Sequence, residues 1–263
     1  MHAEPREATF RLVLEYDGAG FSGWQKQPRA RTVQGELEAA LGRLTGAAVK
    51  TAGAGRTDAG CHAAGQVASA AFRTRLAPDR LRLALNAHLP EDVRVVEAAE
   101  TPADFHARFR AMRRSYRYLI VAPPSALDRR RAWARAVRVP PARLNAATAP
   151  LLGAHDFTTF SKQGGDAVSP VCRVTRARWA GRRGAYRFDI EADRFLYTMV
   201  RRIVSTVLRA AEGTGGARVV RAALEARDRR AAAPPAPAYG LYLMRIRYPR
   251  WGWIPKERMH VVG

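Results

Sequence analysis

The stretches TFRLVLEY (residues 9–16) and TVQGELEAALGRLTG (residues 32–46) decide the first part of the fold. The first is rich in β-forming residues and alternates in hydropathy, which predicts a strand that ends at the turn signal Asp17-Gly18. The second has apolar residues at helical spacing, with Thr32 as a capping residue and Gly46 just beyond its end. Together they predict a strand followed by an amphipathic helix.

The rest of the first half carries similar signals. We expect a short strand near Val49, a strand at residues 66–72, a helix that opens at Pro78 and a strand at residues 93–98. The predicted order of elements is therefore β-α-β-β-α-β.

The second half repeats this pattern. It predicts strands at residues 115–121, 171–179, 185–191 and 239–248, and helices at residues 141–152, 195–211 and 217–227. Each half fits the split β-α-β arrangement, in which two helices cover one face of an antiparallel sheet. The predicted fold class is thus α+β, with two ferredoxin-like halves. The open faces of such sheets bind RNA through aromatic and basic side chains in many proteins.

The charge of the chain indicates a polyanionic partner. Its 263 residues include 45 Lys and Arg but only 23 Asp and Glu, which gives a formal net charge of +22. A field of this size attracts phosphate backbones and speeds their association. Because only four of the cations are lysines, a compositional bias toward arginine stays open as an alternative explanation.

Several protein classes are disfavoured by the sequence. Apolar runs such as residues 195–200 are far shorter than the roughly 18 residues of a membrane span. Charges interrupt residues 1–16 where a signal peptide would need an apolar core, so we expect a cytoplasmic protein. Cys61 and Cys172 cannot form a disulfide framework and do not stand at zinc-ligand spacings with the histidines, so no metal is expected.

The densest group of unusual residues is GAGRTDAGCH, residues 53–62, between two predicted strands. A dinucleotide-binding loop would need a third glycine where Asp58 stands, and a Walker loop would need Lys and then Ser or Thr after Gly60. A thiol nucleophile at Cys61 with His62 as its base is disfavoured, because adjacent residues on a strand point to opposite faces.

A carboxylate site is a further interpretation of this segment. Arg56 and Asp58 stand two residues apart and can face the same way from an extended loop. A nearby cation would keep the carboxylate of Asp58 ionised, so that it could act as a nucleophile or a base. The alternative is a glycine-rich turn with one surface salt bridge, and the residues by themselves favour neither.

The segment also resembles, with other blocks in the chain, the tRNA pseudouridine synthase A family. Residues 54–60, with His62, Gln66 and Val67 after them, resemble the signature of that family. Further matching blocks follow in order between residues 10 and 249: YDG (16–18), GWQ (23–25), TVQ (32–34), DFHARF (104–109), YRY (116–118), HDF (155–157), MVR (199–201) and GLYL (240–243). So many ordered blocks are highly specific, whereas one block would not be.

This resemblance implies an isomerase that converts uridine to pseudouridine at positions 38–40 of the tRNA anticodon stem-loop, without cofactor or metal. By position, Asp58 matches the catalytic nucleophile and Arg201 matches the arginine that pairs with that carboxylate. Tyr116 matches the tyrosine that packs on the target base, and Leu241 matches an apolar residue that lines the uracil pocket.

The resemblance also implies RNA contacts and an assembly. Arg56 matches an arginine that helps flip the target base, and Arg108 lies in a segment that contacts RNA. The Asp58 loop would belong to a first domain, residues 1–105, and a catalytic cleft would separate it from a second, residues 106–263. The family is homodimeric, which implies a homodimer here. The main alternative is a non-catalytic RNA-binding protein on the same fold.

Overall fold

A computed structural model describes residues 4–164, 169–182 and 184–255 of the chain. These residues form two compact units, which are described one at a time. The first unit consists of residues 4–112 and 243–255, and the second of the described residues between 113 and 242. Residues 106–112 and 243–255 group with the first unit.

The first unit is a sheet with two helices. Its elements up to residue 101 are β1 (Arg6–Tyr16), α1 (Val33–Thr45), β2 (Ala52–Gly53), β3 (His62–Thr74), α2 (Pro78–His88) and β4 (Val93–Thr101). Strand β1 lies between β4 and β3 and is antiparallel to both, and β2 is antiparallel to β3. The helices bury the apolar residues that set their predicted spacing, among them Leu37, Leu41, Leu81 and Leu85.

Helix α1 begins and ends where its capping residues predict. The Thr32 hydroxyl accepts a hydrogen bond from the Gly35 N–H at 3.3 Å, and Gly46 adopts a left-handed conformation with φ +71°. The short strand expected near Val49 instead lies at Ala52–Gly53. Val49 is an apolar loop residue whose side chain is buried, so its hydropathy indicated burial rather than sheet pairing.

The second unit is also a sheet with helices. Its elements are β5 (Arg113–Val121), β6 (Trp133–Ala134), α3 (Pro141–Thr148), β7 (Gly153–Asp156), β8 (Val171–Arg182), β9 (Ala185–Ala192), α4 (Met199–Glu212) and α5 (Gly216–Ala226). The strand order is β5-β9-β8-β7, with antiparallel neighbours, and β6 pairs with β5 in parallel. The strands β6 and β7 were not predicted, because both are too short to show the alternating hydropathy by which a strand is recognised.

Two predicted helices of the second unit have different bounds. The helix expected over residues 141–152 ends at Thr148 and continues as a 3-10 turn, Ala149–Leu151. Pro150 accounts for this, because proline lacks the N–H that the next α-helical hydrogen bond requires. The helix expected from residue 195 begins at Met199, because Thr198 has φ +63° and is not helical.

The last strands are β10 (Leu241–Tyr248) and β11 (Gly252–Ile254), which pair antiparallel. From Leu243 onward β10 belongs to the first unit, where it lies beside β3. The predicted α+β class is confirmed by this mixture of strands and helices. None of the helices within the described ranges is long and apolar enough to cross a membrane.

Candidate active site

Asp58 lies in the loop between β2 and β3, as the sequence predicted. In this loop Thr57 is buried, whereas Arg56 is exposed and Asp58 is half-buried. We refer to residues 54–60 as the Asp58 loop.

Buried side chains of β1 and β3 form hydrogen bonds with the Asp58 loop. The hydroxyls of Tyr16 and Thr57 are hydrogen-bonded at 2.8 Å, and the side-chain amide of Gln66 donates to the Gly55 carbonyl at 2.6 Å. Burial raises the pKa of the Tyr16 phenol above its usual range, so the phenol keeps its proton. A polar Gln66 that is fully buried in a strand is thus explained by its bond to the loop.

The segment before α1 supports the Asp58 loop from a second side. The Trp24 N–H donates to the Thr57 carbonyl at 3.1 Å, and the Gly60 N–H donates to the Phe21 carbonyl at 3.2 Å. Gly23 has φ +93°, and a Cβ there would lie 2.7 Å from the Thr57 carbonyl oxygen. Only glycine permits this backbone conformation together with so close an approach.

Cys61 and His62, which follow the loop, serve its local structure. The Cys61 N–H donates to the Asp58 carbonyl at 3.1 Å, and the Gly18 N–H donates to His62 Nδ1 at 3.0 Å. The side chains of Cys61 and His62 are 2% and 3% exposed. This burial argues against the thiol nucleophile, which would have to reach a substrate.

Neither cysteine belongs to a metal-ligating cluster in the described part of the chain. Across residues 4–164, 169–182 and 184–255 there is no group of three or more His, Cys, Asp and Glu residues that could hold a metal ion. Cys61 and Cys172 are both free thiols. Burial raises the pKa of the Cys172 thiol to about 12, so it is protonated and unreactive near neutral pH.

Arg108 lies in the turn that follows β4 in the first unit. Its side chain is exposed, and its backbone N–H donates to His106 Nδ1 at 3.2 Å. Arg56 and Arg108 are therefore both placed at the surface, as residues that contact RNA must be.

Tyr116 lies on β5 of the second unit, directly opposite Ile190 of β9. Its ring is 6% exposed and contacts Phe195 edge to face, with 5.0 Å between the centroids. The sequence did not indicate this burial. Tyr118, two residues further along β5, is fully buried, and its hydroxyl donates to the Pro237 carbonyl at 2.8 Å.

Arg201 lies in the first turn of α4 and is half-buried. Its Nε donates to the Ala236 carbonyl at 2.7 Å, and the Ala236 N–H donates to the Arg201 carbonyl at 3.1 Å. The same chain segment continues to Gly240, where a Cβ would lie 2.6 Å from the Tyr118 ring, and to the buried Leu241. Residues 236–241 therefore connect the surroundings of Arg201 with those of the tyrosine strand.

Sequence reasoning missed the turn that precedes α4. Thr198 is a β-branched residue with φ +63°, and its side chain is 8% exposed. Its hydroxyl has no hydrogen-bond partner within the described part of the chain. The sequence there, FLYTMV, has the apolar spacing of a continuous helix, so it offered no signal of this conformation.

Comparison with known proteins identifies the family of this chain. The chain matches the family described as tRNA pseudouridine synthase over residues 12–110 and 147–249. It is 44% identical over 247 residues to a tRNA pseudouridine synthase A of Cereibacter sphaeroides, with 91% of this chain and 97% of that protein covered. It is 44% identical over 245 residues to the protein of that name from Agrobacterium fabrum, with 91% and 92% covered. A third, from Allorhizobium ampelinum, is 42% identical over 255 residues, with 95% and 98% covered. On this similarity, the chain belongs to the tRNA pseudouridine synthase family.

Proposed function

We propose that this protein isomerises uridine to pseudouridine in tRNA and that Asp58 is its nucleophile. The isomerase class and the tRNA substrate follow from membership of the family. The structural observation that supports Asp58 is its loop, in which a half-buried carboxylate follows a buried Thr57 that is bonded to both Tyr16 and Trp24. Such a loop can present the carboxylate in one defined position, as catalysis requires.

The reaction needs a nucleophile but no cofactor. The N1–C1′ bond of uridine breaks, a C5–C1′ bond forms, and one proton leaves C5 while one is gained at N1, so atoms and electrons balance. A carboxylate can assist by adding to C6 of the uracil or by bonding to C1′ of the ribose while the base rotates. Asp58 is suited to either role.

The second unit would supply the groups that act with Asp58. We assign Arg201 as the cation that pairs with the carboxylate, and Tyr116 and Leu241 as the residues that contact the uracil. The assignment rests on their positions in the matching sequence blocks. It is supported by the bond from Arg201 Nε to the Ala236 carbonyl, which orients the guanidinium. Tyr116 has the aromatic ring that stacking on a base requires, and its edge-to-face contact with Phe195 orients that ring.

Arg56 and Arg108 would contact the RNA around the target base. Both side chains are exposed on the first unit, and the chain carries a net charge of +22. Extruding a base from a stem costs a few kcal/mol, which such contacts offset. We assign positions 38–40 of the anticodon stem-loop as the target, on the resemblance of the sequence to its family.

The proposal includes an architecture and an assembly. Two ferredoxin-like halves, residues 1–105 and 106–263, would frame the catalytic cleft, and two chains would form a homodimer in the cytoplasm. The β-α-β-β-α-β order of elements β1 to β4 supports the first half. Sedimentation of the purified protein should give twice the chain mass of 29.0 kDa, whereas a monomeric mass would contradict the dimer.

The decisive experiment compares Asp58→Asn with the wild type on unmodified tRNA. We expect the wild type to form pseudouridine at positions 38–40 and Asp58→Asn to form none, with tRNA affinity largely retained. Asp79→Asn is the matched control, since Asp79 is an exposed carboxylate on α2 of the same unit. Pseudouridine formed by Asp58→Asn would overturn the nucleophile. A wild type that binds tRNA but forms no pseudouridine would favour the non-catalytic alternative.

A further inference from the structure

An exposed aromatic ring stands in the turn after β4. Phe109 is 77% exposed, although phenylalanine is normally among the more buried residue types. It belongs to residues 104–112, DFHARFRAM, which we refer to as the 104–112 loop. Neither the proposed nucleophile nor the proposed uracil contacts account for this ring.

The 104–112 loop is held firmly to the first unit. Ala107 is fully buried: its N–H donates to the Ser69 hydroxyl at 3.1 Å, and its carbonyl accepts from the Tyr248 hydroxyl at 2.8 Å. Phe105 is also buried, and its ring contacts those of Tyr248 and Trp251 edge to face at 5.4 and 5.1 Å. The exposure of Phe109 therefore belongs to a fixed loop rather than to a frayed one.

His106 supports the Phe109 ring from one side. The two ring centroids are 4.3 Å apart with an angle of 31° between the planes. His106 Nδ1 also faces the backbone N–H groups of Arg108 at 3.2 Å and Phe109 at 3.4 Å, which orients the imidazole. One face of the phenyl ring is therefore occupied by the imidazole, and the exposed remainder is available for a planar partner.

Arginines neighbour this ring in the sequence. Arg108 and Arg110 flank it in the sequence, and the carboxylate of Asp104 is paired with Arg110. The adjacent β10 strand approaches the loop through the bond from the Met112 N–H to the Arg247 carbonyl at 2.8 Å. Arg250 lies against Trp251, the residue that packs on Phe105. An aromatic ring among arginines is the combination that binds single-stranded nucleic acid, by stacking and by phosphate contacts.

We propose that Phe109, supported by His106, is a stacking platform for an unpaired base of the RNA that this protein binds. The flanking arginines would hold the phosphates on either side. The role in tRNA modification rests on the proposed function, and the stacking itself does not. A second copy of this chain is a poorer occupant of this particular surface, because the arginines that flank Phe109 in each copy would meet like charges there.

The test uses the full-length protein and a short single-stranded RNA that carries a fluorescent adenine analogue, with a duplex of the same length for comparison. Phe109→Ala should weaken binding of the single strand about 5- to 150-fold, as expected for the loss of one stacked base. Phe109→Leu should lose nearly as much, because it keeps bulk but lacks a ring, and Phe109→Trp should restore binding. Stacking should quench the fluorescence in the wild type and in Phe109→Trp only.

Three controls make the result specific. Leu83→Ala removes another exposed apolar side chain, on α2 of the same unit, and should leave binding unchanged. Phe109→Ala should leave the slope of log affinity against log salt unchanged, whereas Arg108→Ala should reduce it by about one. Duplex binding should be unaffected by Phe109→Ala.

Two outcomes would overturn the platform: wild-type affinity in Phe109→Ala, or a change of oligomeric state with unchanged RNA binding, which would assign the ring to a protein contact. The proposed function is judged separately, by whether the wild type forms pseudouridine in tRNA.

Discussion

The Asp58 loop of the first unit and the turn into α4 of the second hold their candidate side chains in opposite ways. Against the Asp58 loop, glycine occupies the positive-φ position at Gly23, and within the loop the buried hydroxyl of Thr57 has a partner. In the turn into α4, the left-handed position is occupied by Thr198, and its buried hydroxyl has no partner within the described residues.

This difference indicates which interactions stabilise each of the two segments. A left-handed conformation costs a residue with a Cβ about 1–2 kcal/mol, and an unpaired buried hydroxyl costs about 1–3 kcal/mol. Thr198 bears both costs, so the packing around it must offset them. Such strain persists where surrounding contacts over-determine a conformation. We therefore expect substitutions that disturb the Asp58 loop to lower the free energy of unfolding. A substitution that relieves the strained backbone at position 198 should change it little.

The largest effect should follow Gly23→Ala. The added Cβ would lie 2.7 Å from the Thr57 carbonyl at φ +93°, so strain and overpacking together should lower the free energy of unfolding by about 2–5 kcal/mol. Gly46→Ala is the matched control, because Gly46 has φ +71° but no atom within 4 Å of its Cβ position. It should lose only about 1 kcal/mol. Equal losses in denaturant unfolding would contradict the close approach that we describe.

Tyr16→Phe should have an intermediate effect. It leaves the buried Thr57 hydroxyl without its partner, which should cost about 1–3 kcal/mol in denaturant unfolding. Adding Thr57→Val to Tyr16→Phe removes the second partner as well and should recover part of that loss. A double-mutant cycle with no coupling would show that the hydrogen bond does not stabilise the loop.

The same phenol makes stability depend on pH. Because the pKa of Tyr16 is raised in the folded protein, its contribution is present below about pH 10, the unperturbed pKa of a tyrosine. Above that pH the unfolded state loses the phenolic proton first, so the contribution falls as pH rises. In Tyr16→Phe the free energy of unfolding should fall less at alkaline pH than in the wild type. Identical pH profiles of stability for the two proteins would contradict this role of the phenol.

The smallest effect on stability should follow Thr198→Gly. Glycine relieves the φ of +63° and removes the unpaired hydroxyl, while it adds backbone entropy to the unfolded chain. The free energy of unfolding should therefore stay within about 1 kcal/mol of the wild type. Pseudouridine formation should fall several-fold, because the turn that orients Arg201 is loosened. A loss of stability as large as that of Gly23→Ala would contradict the interpretation that the backbone of Thr198 is strained.

Elements with strong local signals were predictable. Helix α1 was located by Thr32 and Gly46, whose capping and left-handed roles depend on their own chemistry. The location of Asp58 in a loop between two strands was also predictable, because glycines and other small residues interrupt the β-forming sequence there. The predicted start of α4 at residue 195 was wrong, because apolar spacing carries no information about the backbone conformation of Thr198.

The sequence by itself determined the α+β class and, through many ordered blocks, the family. Both depend on residue types and spacings that are present in the chain before it folds. Only the tertiary structure decided that Gln66 and Tyr16 are bonded to the Asp58 loop, that Tyr116 is buried, and that Phe109 is exposed on a fixed turn. The physical reason is that burial and hydrogen bonding are made with residues far away in the chain, which no local pattern encodes.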